Sequence, residues 1–376
     1  MNSKANDSEQ QVSPFADLPW EEEVEGTELL DDLVTCVKRF VILEHQQAFA
    51  IALWVLHTYC IREPNADQIF HHSPILLISS PEKQCGKSTL REIISMLVNR
   101  PLDCMSASTA SLFRVIQAVR PTLLLDEFDN FSKDRGDLLG VLNSGYSRDG
   151  KVLRQGGRDF ETTREFSTWS PKVLSGIGGI PDTTLSRCIP ITMRRKLSSE
   201  LVDSRIVVLR SDPEYFSKLR RRIVRFVIDA EVAIIKLDPG LSGQLNDREE
   251  DNWAGLFKIA AFINREHYAQ AVDCAISLRS KDISDASLAL ELLSDAKEFV
   301  SEQAEEYISS IALHTFLKSL TDRPWVGLNE KGLSLYGLAS LLKPFGIQPV
   351  QVRFNGSPVR CYSVSKFRDA FARYLS

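Results

Sequence analysis

A chain of 376 residues, 43% hydrophobic and 25% charged, can bury a sizeable core in one large or two to three ordinary domains, which excludes a fibrous or wholly disordered protein. Its net charge of −5 supplies no global field for nucleic acid, so such binding needs a local basic patch. Seven scattered cysteines without a CxxC pair argue against a disulfide framework or zinc site and point to a reducing cytosol.

Residues 1 to about 25 are polar, then acidic ("PWEEEVEGTE"), and are expected to be a disordered or loosely docked tail without a secretory leader. Residues 27–62 carry helical periodicity through Leu29, Leu30, Leu33, Val34, Val37, Phe40 and Val41 and read as two helices. The most apolar run, "AFAIALWVLHTYCI" at 48–61, is too short to span a bilayer and reads as a buried helix, with His57 a core histidine. A short apolar strand, "PILLIS" at 74–79, leads into a loop at 80–87 and a helix from Ser88 to about Val98. A helix at about 109–118, a buried strand in "PTLLLDEFD" (121–129) and a helix at 134–144 come next. Two more strands, "PKVLSGI" (171–177) and "RCIPITM" (187–193), complete an alternation that predicts an α/β fold with parallel strands.

From about 196 the pattern is almost all helical. Helices at 309–320 and 333–343 precede "VQVRFNGSPVRCYSV", in which Asn355-Gly356 marks a hairpin turn, and a helix at 365–375 closes the chain. Helices followed by a hairpin and a closing helix fit a winged helix-turn-helix.

The loop "SPEKQCGKSTL" ends like a phosphate-binding loop, although Pro81 stands where that pattern has its first glycine. A phosphate loop works by turning backbone N–H groups toward phosphate at a helix N-terminus, and the amides that matter here are those near Gln84, Cys85, Gly86, Lys87 and Ser88. Lys87 would reach the β and γ phosphates, Ser88 would ligate magnesium and Thr89 would touch the α phosphate. Asp126 and Glu127 end a hydrophobic strand, where two acids are costly unless they have work to do. Asp126 suits the magnesium shell, and Glu127 suits orienting the attacking water.

Arg187 begins the last strand. It suits an arginine finger that stabilises γ-phosphate charge in a neighbouring subunit; the alternative is a salt bridge at the strand edge. Ser175, at the end of the third long strand, is placed to sense the γ phosphate. Arg248 is a candidate lid sensor reaching back to the phosphates, or else a surface arginine. Between the second and third long strands, "SGYSRDGKVLRQGGRDFETTREFSTW" (144–169) carries Arg148, Lys151, Arg154 and Arg158. Its extended arms around Gly156-Gly157 predict a basic hairpin that grips a phosphate backbone, against a plain solvated hairpin. The basic run "KLRRRIVRF" (218–226) reads as the exposed face of a lid helix.

Taken in order, "SPEKQCGKSTL", "PTLLLDEFD", "LNSGYSRDGKVLR", "FSTWSPKVLSGIGGIPDTTLSRCIPITMRRK", "LNDREEDNWAGLFKIAAF", "DRPW" and "LASLLKPFGIQPVQVR" with "CYSVSKFRDAFARYL" resemble the helicase-like P-loop ATPase domain of phage, prophage and plasmid replication proteins, from about residue 40 to the C-terminus. That resemblance implies an α/β P-loop ATPase core with an AAA+-like or superfamily III-like parallel sheet. The expected layout is a tail (1–25), N-terminal helices (26–72), the core (73–200), a helical lid (201–300) and a winged-helix-like C-terminal domain (301–376). It implies ATP and Mg2+ on Lys87, Ser88, Asp126 and Glu127, with Arg187 the finger, though many relatives have Asp where this chain has Ser186. The expected function is an ATP-hydrolysing ring motor on single-stranded or forked DNA, a replicative helicase of a mobile element. A homo-oligomer, with a hexamer in view, would work in the cytoplasm of a bacterial or phage-infected cell, off the membrane, with any priming left to a separate primase. The rival expectations are an ATP-controlled DNA-binding initiator or loader, and an ATPase that remodels protein partners, including in phage defence.

Overall fold

The computed structural model describes residues 15–61, 70–80, 85–104, 109–126, 135–156, 162–176, 180–193, 202–203, 212–279, 285–328, 332–342, 345–354 and 357–375. The chain divides into two compact units, Met1–Ser280 and Lys281–Ser376.

The first unit opens with α1 (Gly26–Phe40) and α2 (His45–Tyr59). Helix α1 is amphipathic, and Leu29, Leu30, Leu33 and Val37 are buried. Helix α2 is capped by a reciprocal box of Glu44 and Gln47, worth about 1 kcal/mol. Every residue from Ala48 to Tyr59 is buried, as expected of a helix apolar on all sides. Two of its side chains tie it to backbone carbonyls later in the chain: Trp54 Nε1 donates to Pro74 O (2.9 Å) and Tyr59 Oη to Leu97 O (2.8 Å).

Then come β1 (Ile75–Ser79), α3 (Lys87–Leu97), β2 (Pro101–Asp103), α4 (Thr109–Val119), β3 (Thr122–Leu125) and α5 (Arg135–Ser144). An antiparallel pair, β4 (Lys151–Gly156) and β5 (Thr162–Ser167), forms its own two-stranded sheet. β6 (Lys172–Gly176), the short α6 (Asp182–Leu185) and β7 (Cys188–Thr192) complete a five-stranded sheet in the order β2-β3-β6-β1-β7. Each of its pairings is parallel, with Ile75 level with both Lys172 and Cys188. β1, β3 and β6 are buried at every position, so they read as continuous apolar runs. The unit is therefore α/β with a parallel sheet, as the alternation of strands and helices predicts. β2, three residues long, escaped the sequence reading because so short a run carries no period.

Helices α7 (Pro213–Lys236), α8 (Asp247–Ile263) and α9 (Arg265–Ser277) come after the sheet. The cations on α7 are not a bare solvated face. Arg220 pairs with Asp17 (2.8 Å), Arg222 pairs with Asp32, Arg221 lies 5.0 Å from the Trp20 ring, and Trp20 N donates to Arg221 O (2.9 Å). Residues 15–25, part of the tail expected to be disordered or loosely docked, are docked by the ion pairs of Asp17 and Glu21 and by the Trp20 ring.

The second unit contains α10 (Asp285–Ser301), β8 (Tyr307–Ser309), α11 (Ser310–Ser319), α12 (Leu335–Leu342), β9 (Val350–Phe354), β10 (Ser357–Ser363) and α13 (Val364–Tyr374). Its antiparallel sheet has the order β8-β10-β9. Its own core centres on Trp325, Leu313, Leu338 and Phe367, with Trp325 Nε1 donating to Asp295 Oδ2 (2.8 Å). Helix α10 belongs to this unit, so the unit begins before the boundary drawn at 301.

Candidate functional site

In an open parallel sheet, ligands bind beyond the carboxyl ends of the strands, where chain order reverses. Here β1 is flanked by β6 and β7, both later in the chain, and the chain leaves β1 for the far edge at β2. The carboxyl ends of β1, β6 and β3 therefore deliver Ser80, Ser175 and Asp126 to one end of the sheet.

Beyond β1, Gly86 caps α3 with φ 87°, a left-handed conformation that glycine adopts without strain. The first intrahelical bond runs from Leu90 N to Gly86 O (3.0 Å). The amides of Lys87, Ser88 and Thr89 precede it, in the first turn of the helix. Lys87 folds back so that Nζ donates to Ser80 Oγ at 2.5 Å. Ser88 is exposed in the first turn, while Thr89 and Cys85 are buried. This is a helix start whose N–H groups and one ammonium face the same end of the sheet, an arrangement suited to an anion.

Asp126 comes directly after β3. Ser175 Oγ, fully buried, donates to Asp126 Oδ1 at 2.5 Å. On its other oxygen, Arg91 Nε lies 3.3 Å from Oδ2, while Arg91 Nη1 holds Asp103 at 2.5 Å. Arg91 stands one turn after Lys87 and links α3 to the ends of β2 and β3. Nothing in its sequence context singles it out among surface arginines. Among the described residues, no three His, Cys, Asp or Glu side chains gather as a metal cage. A magnesium carried by phosphates needs only one or two protein oxygens, and Ser88 and Asp126 fit that donor set. Gln84, Glu127 and Arg158 lie outside the described residues.

Arg187 sits at the opposite end of the sheet. Its carbonyl accepts from Ile75 N (3.0 Å), at the amino end of β1, a run of about 13 Å from Ser79 at the usual strand rise. Its guanidinium donates to Thr183 O, leaves Nε buried without a partner, and lies 5.6 Å from the Tyr146 ring. Arg248 lies 5.5 Å from the same ring and 3.6 Å from Asp251. Arg248, expected either as a lid sensor reaching back to the phosphates or as a surface arginine, is thus placed beside Tyr146 and Asp251. Asp251 of α8 lies 3.6 Å from His72 Nδ1, and the Ser73 N–H donates to Tyr146 O (2.8 Å), just before β1 begins.

Tyr146 organises this second end. It stacks on His72 with ring centroids 4.7 Å apart, and its hydroxyl donates to Asn252 Oδ1 (2.9 Å). Asn252 Nδ2 in turn donates to Ser186 O (3.0 Å), one residue before Arg187. Burial pushes the Tyr146 phenol up to about 12, so it stays a neutral donor. Burial pulls His72 below its usual range, against the opposing pull of Asp251 at 3.6 Å. Tyr146, Asn252 and His72 were missed because nothing but the fold brings them together.

The expected hairpin is the β4–β5 pair. Its cations have acidic neighbours: Lys151 with Glu165 (2.9 Å), Arg154 with Asp137 (3.4 Å) and Arg148 with Asp149 (3.7 Å). Such exposed pairs are worth at most about 1 kcal/mol, so phosphates can replace the acids. Among the described residues, no helix is long and apolar enough to cross a membrane.

Residues 192–374 match the model of a family described as a protein of unknown function (DUF3631). No curated protein matches the chain.

Proposed function

We propose that the chain is a P-loop ATPase that works as a ring motor on DNA. One observation carries the ATPase reading. The start of α3, with Lys87 and Ser88, and Asp126, held by Ser175, converge on the carboxyl end of one parallel sheet. Lys87 would leave Ser80 for the β and γ phosphates, and the amides of 85–89 would cradle them. Ser88 and Asp126 would hold magnesium, which neutralises charge on the transferring phosphoryl group. Glu127, next to Asp126, would orient the attacking water.

On this reading Arg187 and Arg248 would act in trans. Both stand at the amino end of the sheet, so a neighbouring subunit stacked head to tail would receive them at its loop. That favours an assembly over a monomeric ATPase. The extension to a mobile-element replicative helicase, a ring of hexamer type and single-stranded or forked DNA rests on the ordered motifs that resemble phage and plasmid replication ATPases.

A second reading, an ATP-controlled initiator or loader, has its own support. The succession helix, strand, two helices, two-stranded ribbon, helix in the second unit matches that of a winged helix. The deciding experiment is steady-state ATP hydrolysis with and without single-stranded DNA, with Lys87→Ala and Glu127→Gln beside the native chain. Turnover stimulated by DNA and lost in both variants supports the motor. Turnover indifferent to DNA favours the loader or a protein-remodelling role. Full turnover in Lys87→Ala overturns the site.

A further inference from the structure

Charge in the second unit is segregated along the chain. Residues 282–330 hold ten acids and three Lys or Arg, whereas residues 331–373 hold seven Lys or Arg and a single acid, Asp369. The fold displays part of the basic half on the β9–β10 ribbon. In its register Arg353 is opposite Pro358 and Arg360 is opposite Gln351. Cross-strand partners share a face and the side-chain period is two, so Gln351, Arg353, Pro358 and Arg360 lie on one face. All four are exposed. The other face carries Val352 and Val359, both half-buried, and the buried Cys361, while the arginine face is exposed at the ribbon's free part and ends at the buried Tyr362. Lys366 and Arg368 are exposed on the next helix, α13.

The two basic ribbons of the molecule differ in one respect. On β4–β5, Lys151 and Arg154 each have an acid within ion-pair distance. On β9–β10, the ion pairs among the described residues include neither Arg353 nor Arg360, and each is flanked across the strands by an uncharged residue. An Arg pair left without counter-charge on a solvent face is poised for an external polyanion.

We propose that the solvent face of the β9–β10 ribbon binds duplex DNA, with Arg353, Arg360 and Gln351 as its contacts. A two-stranded ribbon fits the major groove, about 12 Å wide, and arginine and glutamine are the side chains that pair there with guanine and adenine edges. The ribbon is thus a duplex contact separate from the β4–β5 hairpin, which is the candidate for single strands. This site does not depend on the ATPase reading.

The test is fluorescence anisotropy of the full chain with duplex DNA and with a single strand of the same length, each across a salt series. Arg353→Ala with Arg360→Ala should weaken duplex binding at least tenfold and lower the slope of log K against log salt by about 1.8, for two cations lost. The same variant should keep single-strand affinity, thermal midpoint and DNA-free ATP turnover. Lys151→Ala with Arg154→Ala should show the reverse preference, weakening single-strand binding and sparing the duplex. Unchanged duplex affinity in the ribbon variant, an equal loss on both DNA forms, or equally tight binding to duplex RNA would each overturn the proposal. DNA-free turnover in Lys87→Ala reports on the ATPase site alone, so either idea can fail without the other.

Discussion

Arg187 and Arg248 lie over one ring, that of Tyr146, at 5.6 and 5.5 Å. Two guanidinium groups repel each other, and the shared ring with Asp251 beside Arg248 offsets that repulsion. Their end of the sheet is the one that Lys87 does not occupy.

A trans role makes mixed assemblies informative. If Arg187 acts as the proposed finger, Arg187→Ala should cut hydrolysis by a factor on the order of 10³, and Lys87→Ala should abolish it. Mixing the two inactive variants should restore part of the turnover, because each supplies what the other lacks. Steady-state rates across mixing ratios check this, and a mixture as inactive as its parts defeats the trans arrangement.

Tyr146 should act through the arginines. Tyr146→Phe keeps the ring and loses the bond to Asn252, so turnover should stay near native at a stability loss of about 1 kcal/mol. Tyr146→Leu removes the cation–π face, worth about 1 kcal/mol per arginine. Its kcat should fall about tenfold with KM for ATP unchanged. Equal kinetics in the two variants would remove the ring from the account.

Asp126 is balanced between a neutral donor and a cation. Ser175→Ala leaves Asp126 without its 2.5 Å donor and should raise the magnesium needed for half-maximal turnover several-fold. Arg91→Gln removes the cation 3.3 Å from Asp126 Oδ2 and should lower that requirement. Magnesium titrations of turnover distinguish these shifts, and two variants moving in the same direction contradict the proposed balance.

Lys172 gives the first unit a pH dependence. Burial pulls its ammonium down to about 7, while Gly145 O (2.7 Å) and Ser170 O (2.5 Å) accept from it. Gly145 itself has no room for a side chain, since a Cβ there would sit 2.0 Å from Thr168 O. The folded pKa lies below the unfolded value near 10.5, so the unfolded chain binds the extra proton between the two. The destabilisation is complete below pH 7 and is relieved as pH rises. Urea midpoints of the native chain should therefore gain on those of Lys172→Met between pH 7 and 8.5. A constant gap across that range would mean that Lys172 does not titrate there.

Much of this architecture was legible because local pattern and tertiary role coincide. The apolar strand at 75–79 followed by Gly86-Lys87-Ser88 announces a strand, loop and helix, and the arms around Gly156-Gly157 announce a hairpin. The neighbours of Arg248 were not legible for the opposite reason. Its position is set by how α8 docks near His72, and no local spacing encodes that. The acids facing Lys151 and Arg154 are likewise distant in sequence or across a strand, so the hairpin was legible and its charge balance was not. Residues 15–25 look unstructured by composition, yet their acids find the arginines of α7 some two hundred positions later.

The separation of Lys87 from Arg187 by the length of β1 has an arithmetic consequence for any head-to-tail assembly. In the proposed trans arrangement, each subunit that joins would complete one site and present another half-made one. An open row would therefore always hold one fewer working centre than it has members, and a lone subunit none. Only a closed circle removes the deficit, so activity per subunit should climb with concentration and level off when the last gap closes.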